Sequence, residues 1–126
     1  MKIKTSELTG AALDWAVAKC EGVDDYILYE SFMTRWGDDE GDTYQYSTDW
    51  AQGGPIIERE GISLTSYLDE EDPYWIGSVE CQYKNFNAIA YYEEYGHTSL
   101  IAAMRCRVAS KLGDTIDIPD ELLINP

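Results

Sequence analysis

The sequence predicts an α+β fold: an antiparallel sheet packed on one face by two longer helices, with a short helix after a Gly-Gly-Pro loop. Three observations lead there. Apolar residues recur at helical spacing in two long stretches, near residues 8–20 and 98–112. Between them lie segments rich in aromatic and β-branched residues, one of which alternates cleanly between apolar and polar. Two helices lying on one face of such a sheet is the simplest packing for this order of elements. At 126 residues the chain makes a single domain, 1–126, which buries roughly two-thirds of its unfolded surface.

Taken in order, Met1 to Lys4 reads as a short strand and Thr5 to Gly10 as the entry to the first helix. There Leu8, Ala12, Trp15, Ala16 and Lys19 recur at helical spacing, with Leu13, Val17 and Cys20 beside them, and Gly22 is a natural stop. Val23 to Arg35 favours strand. Gly37 to Asp42 is an acidic, glycine-flanked loop without the ligand spacing of an EF-hand, so it reads as solvated. Thr43 to Asp49 is an extended approach, and Pro55 to Glu60 a short helix ended by Gly61. Ile62 to Leu68 alternates in part. The charged turn Asp69 to Pro73 follows. Trp75 to Tyr83 is the clearest strand, with Trp75, Gly77, Val79 and Cys81 on one face and Ile76, Ser78 and Glu80 on the other. Asn85 to Tyr95 fits strand or helix, and Gly96 breaks it. Thr98 is the expected N-cap of the second long helix, whose stripe is Leu100, Ile101, Met104, Val108 and Leu112 and whose end is Gly113. Ile116 to Pro119 is an extended tail.

Composition excludes several function classes. With 24 acidic and 9 basic residues the formal charge is −15. A chain that grips a phosphate backbone needs clustered Lys and Arg, so direct nucleic-acid binding is not expected. No apolar run approaches the ~20 residues of a membrane span, and the N-terminus lacks the pattern of a signal peptide. No membrane association is expected, and the cytosol is the expected compartment. Cys20, Cys81 and Cys106 have no metal-ligand or C-x-x-C spacing and read as small buried hydrophobes. Four Trp and ten Tyr against two Phe point to a core or a surface built from rings with polar handles.

No G-x-S-x-G, Walker A or G-x-G-x-x-G motif occurs, and His97 is the only histidine. A lone histidine between Gly96 and Thr98 suits a surface or capping residue. No catalytic residue, cofactor or metal is expected, and the chain reads as a non-enzyme. The segment Ser47-Thr48-Asp49-Trp50-Ala51-Gln52-Gly53-Gly54-Pro55 is the most suggestive for ligand binding. Trp50 would stack on a base, and Ser47, Thr48, Asp49 and Gln52 would hydrogen-bond sugar or base edges. Gly53, Gly54 and the amides behind Pro55 would cradle a phosphate at a helix start. Arg59 or Arg105 would neutralise it. The plainer reading makes Trp50 core, Asp49 a cap and the glycines a loop into a helix; the two readings weigh about equally.

Three blocks carry a family resemblance: Leu13 to Lys19 in the first helix, Ser47 to Gly61, and Leu100 to Arg105 leading into Val108 to Gly113. With these the chain resembles the NinX-like family of small proteins from lambdoid phages and prophages. The resemblance implies a protein made in the host bacterial cytoplasm during infection, and it transfers no activity and no catalytic residue. By analogy with small phage proteins that counter host defence, the expected function is anti-defence sequestration of a nucleotide-derived immune signal, of the cyclic ADP-ribose isomer or cyclic nucleotide class. Its partners would be a small nucleotide-like ligand, a second copy in a homo-oligomer, and a host defence protein. The alternative is an acidic inhibitor of a basic or DNA-binding host protein, and the third is a nucleotide hydrolase.

Overall fold

A computed structural model describes residues 1–23, 26–29, 32–35, 44–69, 71–82 and 89–123. The elements run β1 (Lys2–Lys4), α1 (Gly10–Cys20), β2 (Tyr26–Tyr29), β3 (Phe32–Arg35), α2 (Trp50–Glu60), β4 (Ser63–Tyr67), β5 (Tyr74–Gln82), β6 (Ile89–Gly96), α3 (Ser99–Leu112) and β7 (Thr115–Asp117). The acidic loop Gly37 to Asp42 lies outside the described residues, as do Tyr83 and the last three positions.

The fold is α+β, as the sequence predicts. All strand pairs are antiparallel: β4-β5-β6 form a three-stranded sheet, β2 pairs with β3, and β1 pairs with β7. Of the ambiguous segment Asn85 to Tyr95, the part from Ile89 on is a strand, with register Trp75 to Gly96 and Val79 to Tyr92 across β5 and β6, and residues 85–88 lie outside the described residues. The layering is more specific than two helices side by side on a sheet. Helix α3 lies along the inner face of β4-β5-β6, and α1 packs chiefly on α3.

The helix boundaries follow from their caps. The Thr98 hydroxyl oxygen accepts the Ile101 N–H at 3.1 Å, as expected of an N-cap, and Gly113 closes α3. Asp49 caps α2, its Oδ1 accepting the Ala51 N–H at 2.9 Å. Gly61 ends α2 with φ +68°, a left-handed turn that glycine adopts without strain. The core joins Leu8, Leu13 and Val17 to Met104, Val108 and Ile118, all almost fully buried. Cys20 and Cys106 are buried among them, and burial pushes their thiols up to about 11 and about 12. These two pack as small apolar groups, as the sequence suggests, whereas Cys81, expected to be buried with them, is only partly buried, on β5 against the edge of the core.

One expectation about α2 is corrected. The Gly-Gly-Pro sequence is not a loop before a helix; it lies inside α2, which begins five residues before Pro55. Local propensity argues against this, since each interior glycine costs about 1 kcal/mol and a proline up to about 3 kcal/mol relative to alanine. Tertiary docking overrides it. A Cβ at Gly53 would stand 2.5 Å from the Tyr46 carbonyl oxygen and 2.6 Å from Leu100 Cδ1, so only glycine lets the helix seat there. Buried Ile56 then anchors the next turn.

The same device sets the distance between α3 and the sheet. A Cβ at Gly77 would lie 2.7 Å from the Ala102 carbonyl oxygen, and one at Gly96 2.6 Å from the Ala102 nitrogen. The clashing atoms are backbone, which cannot rotate away. Gly77→Ala and Gly96→Ala are each expected to lower unfolding free energy by about 2 kcal/mol. Ser63→Ala, at an exposed position of β4, should change it by less than about 0.5 kcal/mol. Urea unfolding of the three variants reads the contrast.

Candidate functional site

The residues expected to form a site begin with Ser47, which is buried. Its N–H donates to Asp14 Oδ1 at 2.8 Å, which ties the turn before α2 to the middle of α1. Its hydroxyl is buried without a formed hydrogen bond. Asp14 is itself 5% exposed. Burial pushes its carboxyl up to about 6, opposed by the neighbouring Ser47 hydroxyl and N–H.

Thr48 is exposed on the turn. Asp49 and Gln52 are engaged locally. Asp49 caps α2 and its Oδ2 accepts from the Gln52 side-chain amide at 3.3 Å, while Gln52 Oε1 accepts the Gln45 N–H at 2.9 Å. Gly53 is the docking glycine. A Cβ on Gly54 would stand 3.6 Å from Trp50 Cε3, so the indole leans back over the next turn of its own helix. Trp50 is 53% exposed and is not core. The phosphate cradle expected behind Pro55 is corrected: those amides lie within a continuous helix and not at its start.

The two arginines part company. Arg59 sits nine residues along α2 from Trp50, about 14 Å at helical rise. Its Nη2 meets Glu21 Oε2 at 2.7 Å and its Nε meets Glu60 Oε2 at 2.7 Å. Those two carboxylates hold the guanidinium's pKa above its ordinary value. Arg107 completes the group, 3.3 Å from Glu21 and 3.0 Å from Glu60. This four-member network clasps the last turn of α2 to the end of α1 and to α3, and it leaves Arg59 a structural role.

Arg105 lies elsewhere. Its Nε donates to the Leu8 carbonyl at 2.8 Å and its Nη1 to the Tyr95 carbonyl at 2.7 Å. Among the described residues no carboxylate comes within ion-pairing distance of it. Burial lowers its pKa, offset in part by the charge of Glu94. The guanidinium borders a cleft of about 360 Å³ that is lined also by Asp72, Tyr74, Tyr95, Gly96 and His97. His97 Nδ1 is 4.0 Å from Asp72 Oδ1, both side chains largely exposed. Tyr74 and Tyr95 meet edge to face, 5.7 Å between ring centres.

This cleft gathers a cation with spare donors, two rings and an imidazole. Of the expected site residues only Arg105 belongs to it. The sequence signal for the rest was the run Tyr95-Gly96-His97 before a capped helix. The pairing of Trp75 with Gly96 brings the start of β5 beside that run, and Tyr74 and Asp72 then meet Tyr95 and His97. Among the described residues no group of three or more His, Cys, Asp or Glu side chains is placed to hold a metal ion. No helix among them is long and apolar enough to cross a membrane.

Asp14 gives this region a pH signature. An ordinary aspartate titrates near 3.8 and Asp14 near 6, so between those values the folded chain keeps a proton that the unfolded chain has released. The contribution is fully present below about pH 4 and is lost as pH rises to about 6, a span of about 3 kcal/mol. Asn at this position still accepts from Ser47 but does not titrate. The stability difference between Asp14→Asn and the parent should therefore change by about that amount between pH 4 and 7 and stay level above it. Urea titrations at stepped pH would show it, and a constant difference would contradict the buried-carboxylate assignment.

In comparison with known proteins, a family model described as Bacteriophage P22, NinX matches residues 4–111. No curated protein matches the chain.

Proposed function

Because the chain belongs to the bacteriophage P22 NinX family, we propose that it is a phage-encoded binding protein that captures a small, ring-bearing anion of the nucleotide class and releases it unchanged. The role is anti-defence sequestration of a nucleotide-derived immune signal in the infected cell's cytoplasm, with a cyclic ADP-ribose isomer or a cyclic nucleotide as the ligand. The observation that carries this reading is Arg105, a half-buried cation held in place by two main-chain carbonyls with no carboxylate paired to it among the described residues. In a chain of charge −15, such a cation beside a cleft of two tyrosines is a ready partner for phosphate. Tyr74 and Tyr95 offer ring faces or edges to a base. His97 stands immediately before Thr98, the N-cap of α3, where the helix dipole favours negative charge. The long-range acidic field is screened beyond about 8 Å at physiological salt, so local donors govern binding at contact.

Binding is favoured over turnover because the His97–Asp72 pair in the cleft is solvent-exposed, the lining residues include no serine, threonine or cysteine, and the Tyr95 hydroxyl is engaged by Glu93.

Native mass spectrometry of the purified protein, mixed with an extract from bacteria whose nucleotide-signalled defences have been triggered, tests the reading. A discrete nucleotide adduct, released intact by heat, is the expected result, and the same spectrum counts the copies in the complex. Arg105→Lys keeps the charge but loses the fork, and should weaken the adduct at least tenfold. Trp50→Ala should leave it unchanged, because Trp50 does not line the cleft. Absence of any adduct, or a ligand recovered in hydrolysed form, would refute sequestration. Loss of the adduct in Trp50→Ala would return the site to the segment before α2.

A further inference from the structure

The outer face of the three-stranded sheet has no covering element among the described residues. Alternation along the strands puts Tyr67, Tyr74, Ile76, Tyr91, Glu93 and Tyr95 on this face, opposite the one that α3 covers. Ile89 is 68% exposed, Tyr91 58% and Tyr95 51%, and Leu68 at the strand end is 90% exposed. Contiguous exposed rings and aliphatics of this kind mark interaction surfaces.

The face is ordered. Tyr67 and Tyr74 stack across β4 and β5 with centres 5.2 Å apart and planes at 6°. The Tyr91 hydroxyl donates to Glu93 Oε2 at 2.8 Å and the Tyr95 hydroxyl to Glu93 Oε1 at 3.0 Å. Glu93 is thus a carboxylate fixed between two rings, with lone pairs left over for a further donor. The residues of this face in β4, β5 and β6 include Glu80 and Glu93 and no Lys or Arg. At the adjoining turn, Asp69 and Glu71 line a second cleft of about 510 Å³ with Tyr67, Leu68 and Tyr74.

We infer that this face docks a basic, extended segment of a partner protein, with an arginine side chain seated on Glu93 between Tyr91 and Tyr95. A guanidinium there gains a carboxylate and ring faces at once. Charge argues against a second copy of this chain, because two faces each bearing Glu80 and Glu93 would meet with like sign at −15 per chain. Size argues the same way. Three strands at ~4.8 Å spacing and up to nine residues long give a face on the order of 400 Å². A stable protein–protein interface needs about 800 Å² per partner. A segment fits this area.

The test titrates the ¹⁵N-labelled full chain with a ten-residue peptide of alternating arginine and leucine, and with its glutamate–leucine counterpart. Saturable shifts confined to β4, β5 and β6 with the basic peptide alone are expected. Binding should weaken at least tenfold in Glu93→Lys and in Tyr91→Ala, and should fall several-fold from 50 to 200 mM salt. Tyr74 and Tyr95 border both this face and the cleft, so the two are told apart by residues that belong to one alone: Arg105→Lys should leave peptide binding unchanged, and Glu93→Lys should leave any nucleotide adduct unchanged. Shifts spread over the acidic surface at large, or equal binding by Glu93→Lys, would overturn the proposal. So would a dimer in sedimentation that Ile89→Asp abolishes, which would assign the face to a second copy.

Discussion

The close approach of α3 to its sheet is the constraint on which the rest of the molecule rests. Ala102 presents bare backbone to Gly77 on β5 and Gly96 on β6, and the three positions together bring helix and strands nearer than side chains would allow. A small-residue seam of this kind spends little apolar area, so the burial must come from the flanks. Leu100, Met104 and Val108 supply it toward the rest of the core, and Val79 supplies it from the sheet. Helix α1 then packs on the side of α3 turned away from the sheet, which makes α3 the central layer of the domain. Strands β1 and β7 extend that arrangement, with Thr5 Oγ1 donating to the Gly113 carbonyl at 2.7 Å just past the end of α3.

Seen from that seam, the segment from Ser47 to Glu60 is a buttress. Its first half is fastened by the Asp14–Ser47 bond and by Gly53 against Leu100, and its last turn by the Glu21–Arg59–Glu60–Arg107 network. Of the polar groups that made it resemble a ligand-binding corner, Ser47 and Arg59 tie the segment to α1, and Asp49 and Gln52 are engaged within the turn and first turn of α2 itself. Thr48 and the Trp50 ring remain open to solvent. Of the two arginines expected at the site, the one with donors to spare is Arg105, and it lies at the edge of the sheet.

Much of this was legible in the sequence, and the failures have physical causes. The stripe of α3, the Thr98 cap, the Gly113 stop and the two-faced pattern of β5 are local signals, and local signals transmit well. The helix through Gly53-Gly54-Pro55 was not legible, because three poor helix formers in a row outweigh any local cue and the compensating contact is with Leu100, 47 positions away. Asn85 to Tyr95 was ambiguous because the doublets Tyr91-Tyr92 and Glu93-Glu94 fit neither the period of a strand nor that of a helix cleanly. The cleft at Arg105 depends on the pairing of β5 with β6, which sets Tyr74 and the turn residue Asp72 beside residues more than twenty positions later. Membership of the family was readable from three sequence blocks, and the matched family model covers all of them but the last two residues, Leu112 and Gly113.

The two faces of β5 and β6 also obey different rules of change. On the inner face a single methyl at Gly77 or Gly96 demands a matching retreat of α3, so those positions can drift only in concert. On the outer face Tyr91, Glu93 and Ile89 touch little of the interior, and one can be exchanged for another without repacking anything. A lineage carrying this fold is therefore free to retune what it recognises, one codon at a time, while the architecture that presents the surface stays frozen.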